Sequence, residues 1–170
     1  MWYVIQVLNG NEINVCEKCR QAVSPDAYGD FFVPMYVCMR RYQGEWNKEY
    51  KVLFPGYFFV DSEHADVLEQ ELSVVSRIAK PVCVGKDFVP IHEEEQAFLE
   101  EMMDASHIIQ MSTGNIINGE FDIYEGPLQK KGTYIKRIDR HKRIAEMDVK
   151  LLGESRRVRV GLEIVNKVSM

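Results

Sequence analysis

A nine-residue segment at residues 52–60 constrains the fold of this chain more than any other feature. Seven of its residues are apolar, and a Pro-Gly pair at 55–56 interrupts it. Because proline and glycine mark turns and aromatic residues favour strands, the segment predicts a turn followed by a buried strand. On that strand Tyr57 and Phe59 face one side of the sheet and Phe58 the other. The pattern leaves open whether both sides are covered or one side docks a protein partner.

Strands and helices alternate around this segment over residues 1–106. Apolar spacing predicts, in chain order, strands at 2–7, 31–42, 46–53, 57–60 and 82–84, and helices at 11–23, 64–75 and 92–105. In the first of these helices Ile13, Cys16, Cys19 and Val23 are expected to share the inward face. An antiparallel sheet with packed helices fits this order, so we predict an α+β domain.

The composition and the predicted secondary structure of the chain change after residue 106. Residues 107–118 contain glycine and asparagine without clear periodicity, which favours a linker. Only short strands follow, at 121–124, 133–138, 145–152 and 157–165, and they alternate between apolar and polar residues. We therefore predict a small all-β, SH3-like barrel over residues 119–170.

The two predicted domains differ in charge. Residues 1–110 hold nine Lys and Arg against eighteen Asp and Glu, and residues 111–170 hold twelve against eight, so an acidic part of net charge −9 precedes a basic part of +4. The alternatives are solvated faces or contact with phosphate, which gains sequence-independent affinity from released counterions. The predicted RNA-binding residues are Lys130, Lys131, Lys136, Arg137, Arg140, His141, Lys142, Arg143, Arg156 and Arg157.

Catalytic and metal-binding patterns have little support in the sequence. Cys16 and Cys19 form a lone CxxC on the apolar face of a predicted helix, which favours core packing over zinc or redox chemistry. The four histidines are scattered, and no phosphate-binding glycine motif occurs. We predict a protein that is not an enzyme and that needs no cofactor or metal. With no apolar run long enough for a membrane span and no signal peptide, the cytoplasm is the expected location.

The motifs, taken in order, resemble the NusG family of transcription elongation factors. Residues 2–6, WYVIQ, are similar to the start of the family's N-terminal (NGN) domain, and residues 54–57, FPGY, match its most recognisable motif. Val89-Pro90 fits a later turn of that domain. Short motifs between residues 119 and 153 resemble the family's C-terminal KOW domain. Motifs of two domains, in the order found in the family, thus cover nearly the whole chain.

The resemblance implies that the NGN domain binds the clamp helices of RNA polymerase and favours processive elongation. The positions that match the family's polymerase-binding surface are Gln6, Phe54, Pro55, Gly56, Tyr57, Phe59 and Val84. A helix that enters an aromatic groove is a common recognition mode, which agrees with this implication. Phe54 is expected to close one end of the groove and Phe58 to point to the core.

Two departures from the general family pattern suggest a specialised member. The KOW loop of general factors commonly carries an aromatic residue that contacts Rho or a ribosomal protein, whereas Leu152 occupies that position here. Residues 130–143 are also more basic than a general factor needs. Both features are similar to the LoaP group of antiterminators, which recognise an RNA hairpin in the nascent transcript. The alternatives are a general NusG-type factor, a capsule-operon regulator, or an adaptor whose KOW domain binds a ribosomal or termination protein instead of RNA.

Overall fold

A computed structural model describes residues 1–170 as a mixed α+β chain, the fold class predicted from the sequence. The chain divides into two compact units. Unit 1 comprises residues 1–34, 54–97 and 151–153, and unit 2 comprises residues 35–53, 98–150 and 154–170. The elements are β1 Trp2–Gln6, α1 Glu12–Ala22, β2 Asp30–Phe32, β3 Met35–Tyr42, β4 Glu45–Val52, β5 Tyr57–Asp61, α2 Ala65–Leu72, β6 Lys80–Pro81, α3 Glu93–Met102, β7 Ile108–Ile109, β8 Ser112–Ile117, β9 Glu120–Glu125, β10 Ile135–Asp139, β11 Ile144–Leu151 and β12 Glu154–Val168.

Unit 1 is built on a four-stranded sheet with the order β2-β5-β1-β6. β5 pairs antiparallel with both β1 and β2, and β1 pairs antiparallel with β6. Side chains of α1 and α2 join one face of this sheet in a single core, in which Ile5 and Phe58 from the strands meet Cys19 and Leu68 from the helices. Each large apolar side chain that is fully buried in this way contributes about 1.5–3 kcal/mol to folding.

The other face of the same sheet carries four buried aromatic rings. The ring centroids of Trp2 and Phe32 lie 4.9 Å apart, and those of Phe54 and Phe59 lie 5.6 Å apart. All four side chains are at most 6% exposed. Both sides of β5 are therefore covered in the structure, and Phe58 lies on the helix-facing side, as the alternation of the strand predicted.

The inward face of α1 differs from the prediction by one position. Ile13 is 59% exposed, whereas Glu12 is buried together with Val15, Cys16 and Cys19. The prediction that Ile13 faces the core was wrong, because a buried carboxylate with backbone hydrogen-bond donors around it takes the inward place in the first turn. Burial of a charge is tolerated where such donors satisfy it.

Three other segments also differ from the predicted elements. The strand expected at residues 31–42 is two strands, β2 and β3, because Pro34 between them has no N–H to donate to a ladder. The strand expected at 82–84 is shifted to β6, and Val84 forms only an isolated bridge with Asp87. Residues 107–118 contain β7 and β8, although their composition favours a linker. The domain boundaries at 106 and 119 stay a prediction.

Unit 2 consists mainly of strands. A five-stranded sheet has the order β10-β11-β12-β8-β9, and a three-stranded sheet has the order β4-β3-β7. β12 pairs with β8 in parallel, while β8 and β9 form an antiparallel pair. Alternate residues of β11 and β12 point inward, and Met147, Val160 and Leu162 are fully buried. In neither unit does a helix have the length and apolar character needed to span a membrane.

Candidate functional site

The Pro-Gly turn of the opening segment is fixed from two sides within unit 1. Gly56 has φ +89°, a conformation that residues with a Cβ adopt only with strain. Its carbonyl oxygen accepts the N–H of Val7 at 2.8 Å, and its own N–H donates to a carboxylate oxygen of Glu12 at 2.9 Å. The turn is therefore anchored both to the end of the first strand and to the first turn of α1.

Glu12 connects this turn to the helix. Its side chain is 3% exposed, and the carboxylate also accepts the N–H of Gly10 at 2.9 Å. A negative charge in the first turn of a helix is further favoured by the helix dipole. Sequence reasoning missed Glu12, although an acidic residue at an inward position of an amphipathic helix was a visible signal.

The seven residues predicted to face polymerase lie in different environments in the structure. Gln6 and Tyr57 are register partners at the end of the β1–β5 pair, and Pro55 lies exposed in the adjacent turn. Gln6 is exposed and Tyr57 is half-buried. Phe54 and Phe59, in contrast, are buried beneath the turn. Gly56 is held as described above, and Val84 lies apart from the strand pair in its isolated bridge, with its side chain exposed.

A basic groove lies on unit 2, with a volume of about 370 Å³. Side chains from β3, β4, β12 and the β10–β11 turn line it. Five of them are Lys or Arg, and Glu49 is the only carboxylate among them. The polar and aromatic side chains that define the basic groove are Tyr36, Arg40, Arg41, Trp46, Glu49, Lys51, His141, Lys142 and Arg159. Such an excess of cations suits a polyanion.

Arg143 is held beside this groove by two contacts. Its guanidinium carbon lies 4.0 Å from the centroid of the Trp46 ring, and its Nη2 lies 3.6 Å from a carboxylate oxygen of Glu163. Cation–π attraction over tryptophan is the strongest of its type. The guanidinium group thus occupies one face of the indole ring.

The ten predicted RNA-binding residues are only partly gathered at this groove. His141 and Lys142 line it, and Arg143 contacts its tryptophan. Arg137 lines a smaller neighbouring pocket of about 100 Å³, together with Lys142 and Arg159. Lys130, Lys136 and Arg140 are exposed.

Besides Arg143, three of the predicted cations lie near acidic side chains of unit 2. The Nζ of Lys131 lies 2.9 Å from Glu101, and Arg156 lies 3.6 Å from Glu154. Arg157 donates to Asp148 at 2.5 Å, and this hydrogen bond lowers the pKa of that carboxyl group. Ion pairs open to solvent, such as those of Arg156 and Arg157, contribute only about 0–1 kcal/mol to stability. All three contacts reduce the local positive charge.

Sequence reasoning missed the contribution of the β3–β4 hairpin to the groove. Arg40, Arg41 and Lys51 lie in the acidic first part of the chain, where the net charge of −9 hid a local excess of cations. The consecutive arginines near the end of a predicted strand were the signal that could have identified them.

Leu152 lies in the turn between β11 and β12, where the backbone has positive φ at two successive residues. The N–H groups of Leu152 and Gly153 each donate to the carboxylate of Glu95 at 2.9 Å, and His92 donates its N–H to the same group. Burial by itself would raise the pKa of Glu95, but these three backbone donors outweigh it and hold the pKa below its ordinary value. The Leu152 turn is therefore anchored by a charged acceptor within unit 1.

The cysteines of the CxxC pair are core residues. Cys16 and Cys19 are both buried against the sheet of unit 1, in agreement with the predicted packing role. Burial raises the pKa of Cys16 to about 12 and that of Cys19 to about 11. Thiols with such pKa values are poor nucleophiles and poor metal ligands near neutral pH.

Comparison with known proteins identifies the family. Residues 1–100, more than half of the chain, match the family model described as "Transcription termination factor nusG". The chain belongs to the NusG family. Its members are transcription factors and not enzymes, and the family-level resemblance inferred from the sequence is confirmed.

Full-length relatives support this assignment. The transcription termination/antitermination protein NusG of Vibrio vulnificus is 23% identical over 173 residues, which cover 98% of this chain and 95% of the relative. NusG of Pasteurella multocida is 24% identical over 178 residues, with 99% and 95% covered. A solved structure titled "Domain interaction in Thermotoga maritima NusG" has a TM-score of 0.53 and 20% identity, covers 94% of this chain and 92% of that chain, and so confirms the fold.

Proposed function

We propose that this NusG-family factor is a processive antitermination factor of the LoaP type that acts in the cytoplasm. Residues 1–106 form the NGN domain, which binds the clamp helices of RNA polymerase, and residues 119–170 form the KOW domain, which binds an RNA hairpin. Residues 107–118 link them. The observation that carries the RNA part is the set of basic side chains that residues 119–170 bring to the basic groove, Lys142 and Arg159 beside His141, in a chain of net charge −5.

The surface turn at residues 55–56 supports the polymerase part of the proposal. Gln6, Pro55 and Tyr57 lie side by side at one end of the β1–β5 pair, where an incoming helix can reach them. Phe54 and Phe59 pack under the turn and give it a rigid base. Tyrosine is one of the residue types that dominate the binding energy of protein interfaces, and Tyr57 is the half-buried aromatic residue at this turn.

Polymerase binding is tested with immobilised bacterial core RNA polymerase and the full-length protein. The double variant Gln6→Ala/Tyr57→Ala should bind at least about tenfold more weakly, the loss expected when an interface residue worth about 1.4 kcal/mol is removed. Tyr124→Ala is the matched control, because Tyr124 is 48% exposed in unit 2. If the double variant and the control bind polymerase with equal affinity, the turn is not part of the polymerase-binding surface.

RNA binding is tested by a gel shift with the leader transcript of the operon that encodes the protein. The variant Arg140→Glu/Lys142→Glu places two negative charges on the β10–β11 turn and should weaken the complex strongly at low salt. Lys150→Glu/Lys167→Glu makes the same change in charge at two exposed positions outside the groove. If the Arg140→Glu/Lys142→Glu variant binds the leader transcript as well as the control variant does, the turn does not bind phosphate.

A second candidate is a general NusG-type factor whose KOW domain binds a ribosomal or termination protein. Two observations favour it: the relatives reported above are themselves named NusG, and the partly exposed Leu152 lies in an anchored turn that can present it to a protein. Under this alternative the leader transcript gives no specific shift, and Leu152→Asp reduces binding of the protein partner.

A further inference from the structure

We propose that the β3–β4 hairpin forms one wall of the RNA site, so that Arg41 and Lys51 bind phosphates of the same RNA segment as Lys142 and Arg159. The proposal rests on the RNA-binding function proposed above and extends it to residues outside the predicted KOW domain. All four cations line the basic groove of unit 2.

The backbone geometry explains how the hairpin comes to line the groove. Tyr36 and Val37 of β3 and Gly161 of β12 lie where these two strands approach closely. A Cβ added to Gly161 would lie only 2.4 Å from the carbonyl oxygen of Val37, a distance that only glycine allows. In the register of the hairpin, Tyr36 is opposite Lys51, and Lys51 of β4 lines the same groove as Arg159 of β12.

The groove is suited to the RNA backbone more than to its bases. One face of the Trp46 ring is covered by Arg143 at 4.0 Å, and a base cannot stack on that face. The five Lys and Arg side chains of the lining suit phosphate oxygens, and folded RNA is commonly recognised through its shape and backbone. A double-stranded stem presents two phosphate strands across a groove, which matches cations arranged on two walls.

The cations differ in how far neighbouring carboxylates neutralise them. Arg40 lies 3.3 Å from Glu49, and Arg159 lies 3.7 Å from Glu146. Arg41 and Lys51 are exposed on the hairpin and line the groove. These two residues therefore offer the most direct test of the hairpin's role.

The test uses the full-length protein and a fluorescein-labelled RNA hairpin with a G·C-rich stem, because backbone recognition does not depend on sequence. Fluorescence anisotropy at several KCl concentrations gives the affinity and its salt dependence. Arg41→Gln/Lys51→Gln should bind about tenfold more weakly at low salt, and the slope of log affinity against log salt should fall by about one for each cation removed. Lys150→Gln/Lys167→Gln should bind as the unaltered protein does. Circular dichroism of each variant checks that the fold is retained.

The outcomes separate this proposal from the function on which it rests. If Arg41→Gln/Lys51→Gln keeps full affinity while Lys142→Gln/Arg159→Gln loses it, the hairpin has no part in the site, although the RNA-binding function stands. If the unaltered protein fails to bind the RNA at low salt, both fall. A DNA hairpin of the same sequence that binds more tightly than the RNA, or a polyglutamate peptide that binds while RNA does not, would overturn the assignment of RNA as the ligand.

Discussion

Replacement of Glu12 by alanine tests how the Pro-Gly turn is held in place. The change removes the buried carboxylate that accepts the N–H groups of Gly10 and Gly56, each at 2.9 Å. Gly56 is buried, so its N–H is left without an acceptor, whereas Gly10 is exposed and can bond to water. The same change also removes the favourable charge from the first turn of α1.

The loss in the free energy of unfolding follows from these contacts. A hydrogen bond to a charged group contributes about 1.5–3 kcal/mol, and a buried donor left unsatisfied costs about 1–3 kcal/mol. With one bond lost to a buried donor and the other partly replaced by water, Glu12→Ala should destabilise the protein by about 2–4 kcal/mol. Glu12→Gln keeps one side-chain oxygen as an acceptor and should lose roughly half as much.

Urea unfolding followed by tryptophan fluorescence measures this loss. The chain has two tryptophans, so a Trp46→Phe background leaves the buried Trp2 as the reporter of unit 1. Glu17→Ala is the control on the same helix, because Glu17 is half exposed and its ion pair with Arg20 is worth at most about 0.5 kcal/mol. Glu12→Ala and Glu17→Ala variants of equal stability would refute the idea that Glu12 anchors the turn.

Three further predictions concern the same contacts and the thiols. The pKa of Glu95 is held below its ordinary value of 4.5 in the folded state, so its stabilising effect is present above pH 4.5 and is lost as the pH falls through the folded value. Urea unfolding at neutral pH and at a series of pH values from about 4.5 down to about 3 should show a smaller loss of stability for Glu95→Gln than for the unaltered protein, and an equal loss would contradict this. Iodoacetamide at pH about 8, followed by mass spectrometry, should label exposed Cys83 faster than the buried thiols of α1, which should stay unmodified until the protein unfolds. Labelling of the α1 thiols in the native protein as fast as that of Cys83 would show that the helix is not packed as described. Gly56→Ala should lower the melting temperature by an amount that corresponds to about 1 kcal/mol or more in the free energy of unfolding, because the φ of Gly56 is positive. Gly29→Ala should have little effect, because φ is not positive there and the nearest atom is 3.6 Å away. Similar losses at both positions would exclude backbone strain as the cause.

Local pattern was enough to predict much of the fold. The strand at Tyr57 and the helices near 12–22 and 65–72 follow from apolar spacing, which depends only on neighbouring residues. The alternation along β11 likewise matches its buried face. The strand β8 was missed because its Gly-Asn composition is typical of loops, and its pairing with β12, about 50 residues later in the chain, is set by tertiary contacts.

The candidate site was less predictable because its parts come from distant segments. Short motifs located the turn at residues 54–57, but the burial of Phe54 and Phe59 depends on packing that no local pattern contains. Lys131 and Arg157 were grouped with the other cations by sequence, yet the fold places each of them beside a carboxylate. Arg41 was overlooked because a net charge averaged over a long segment conceals what two strands bring together.

Single-round transcription tests the proposed function most directly. The template carries the leader hairpin upstream of an intrinsic terminator, and purified RNA polymerase is assayed with and without the full-length protein. The proposal predicts that readthrough rises when the protein and the hairpin are both present, and that Gln6→Ala/Tyr57→Ala abolishes the rise. Termination that is unchanged, or that changes equally on a template without the hairpin, would contradict RNA-directed antitermination by this protein.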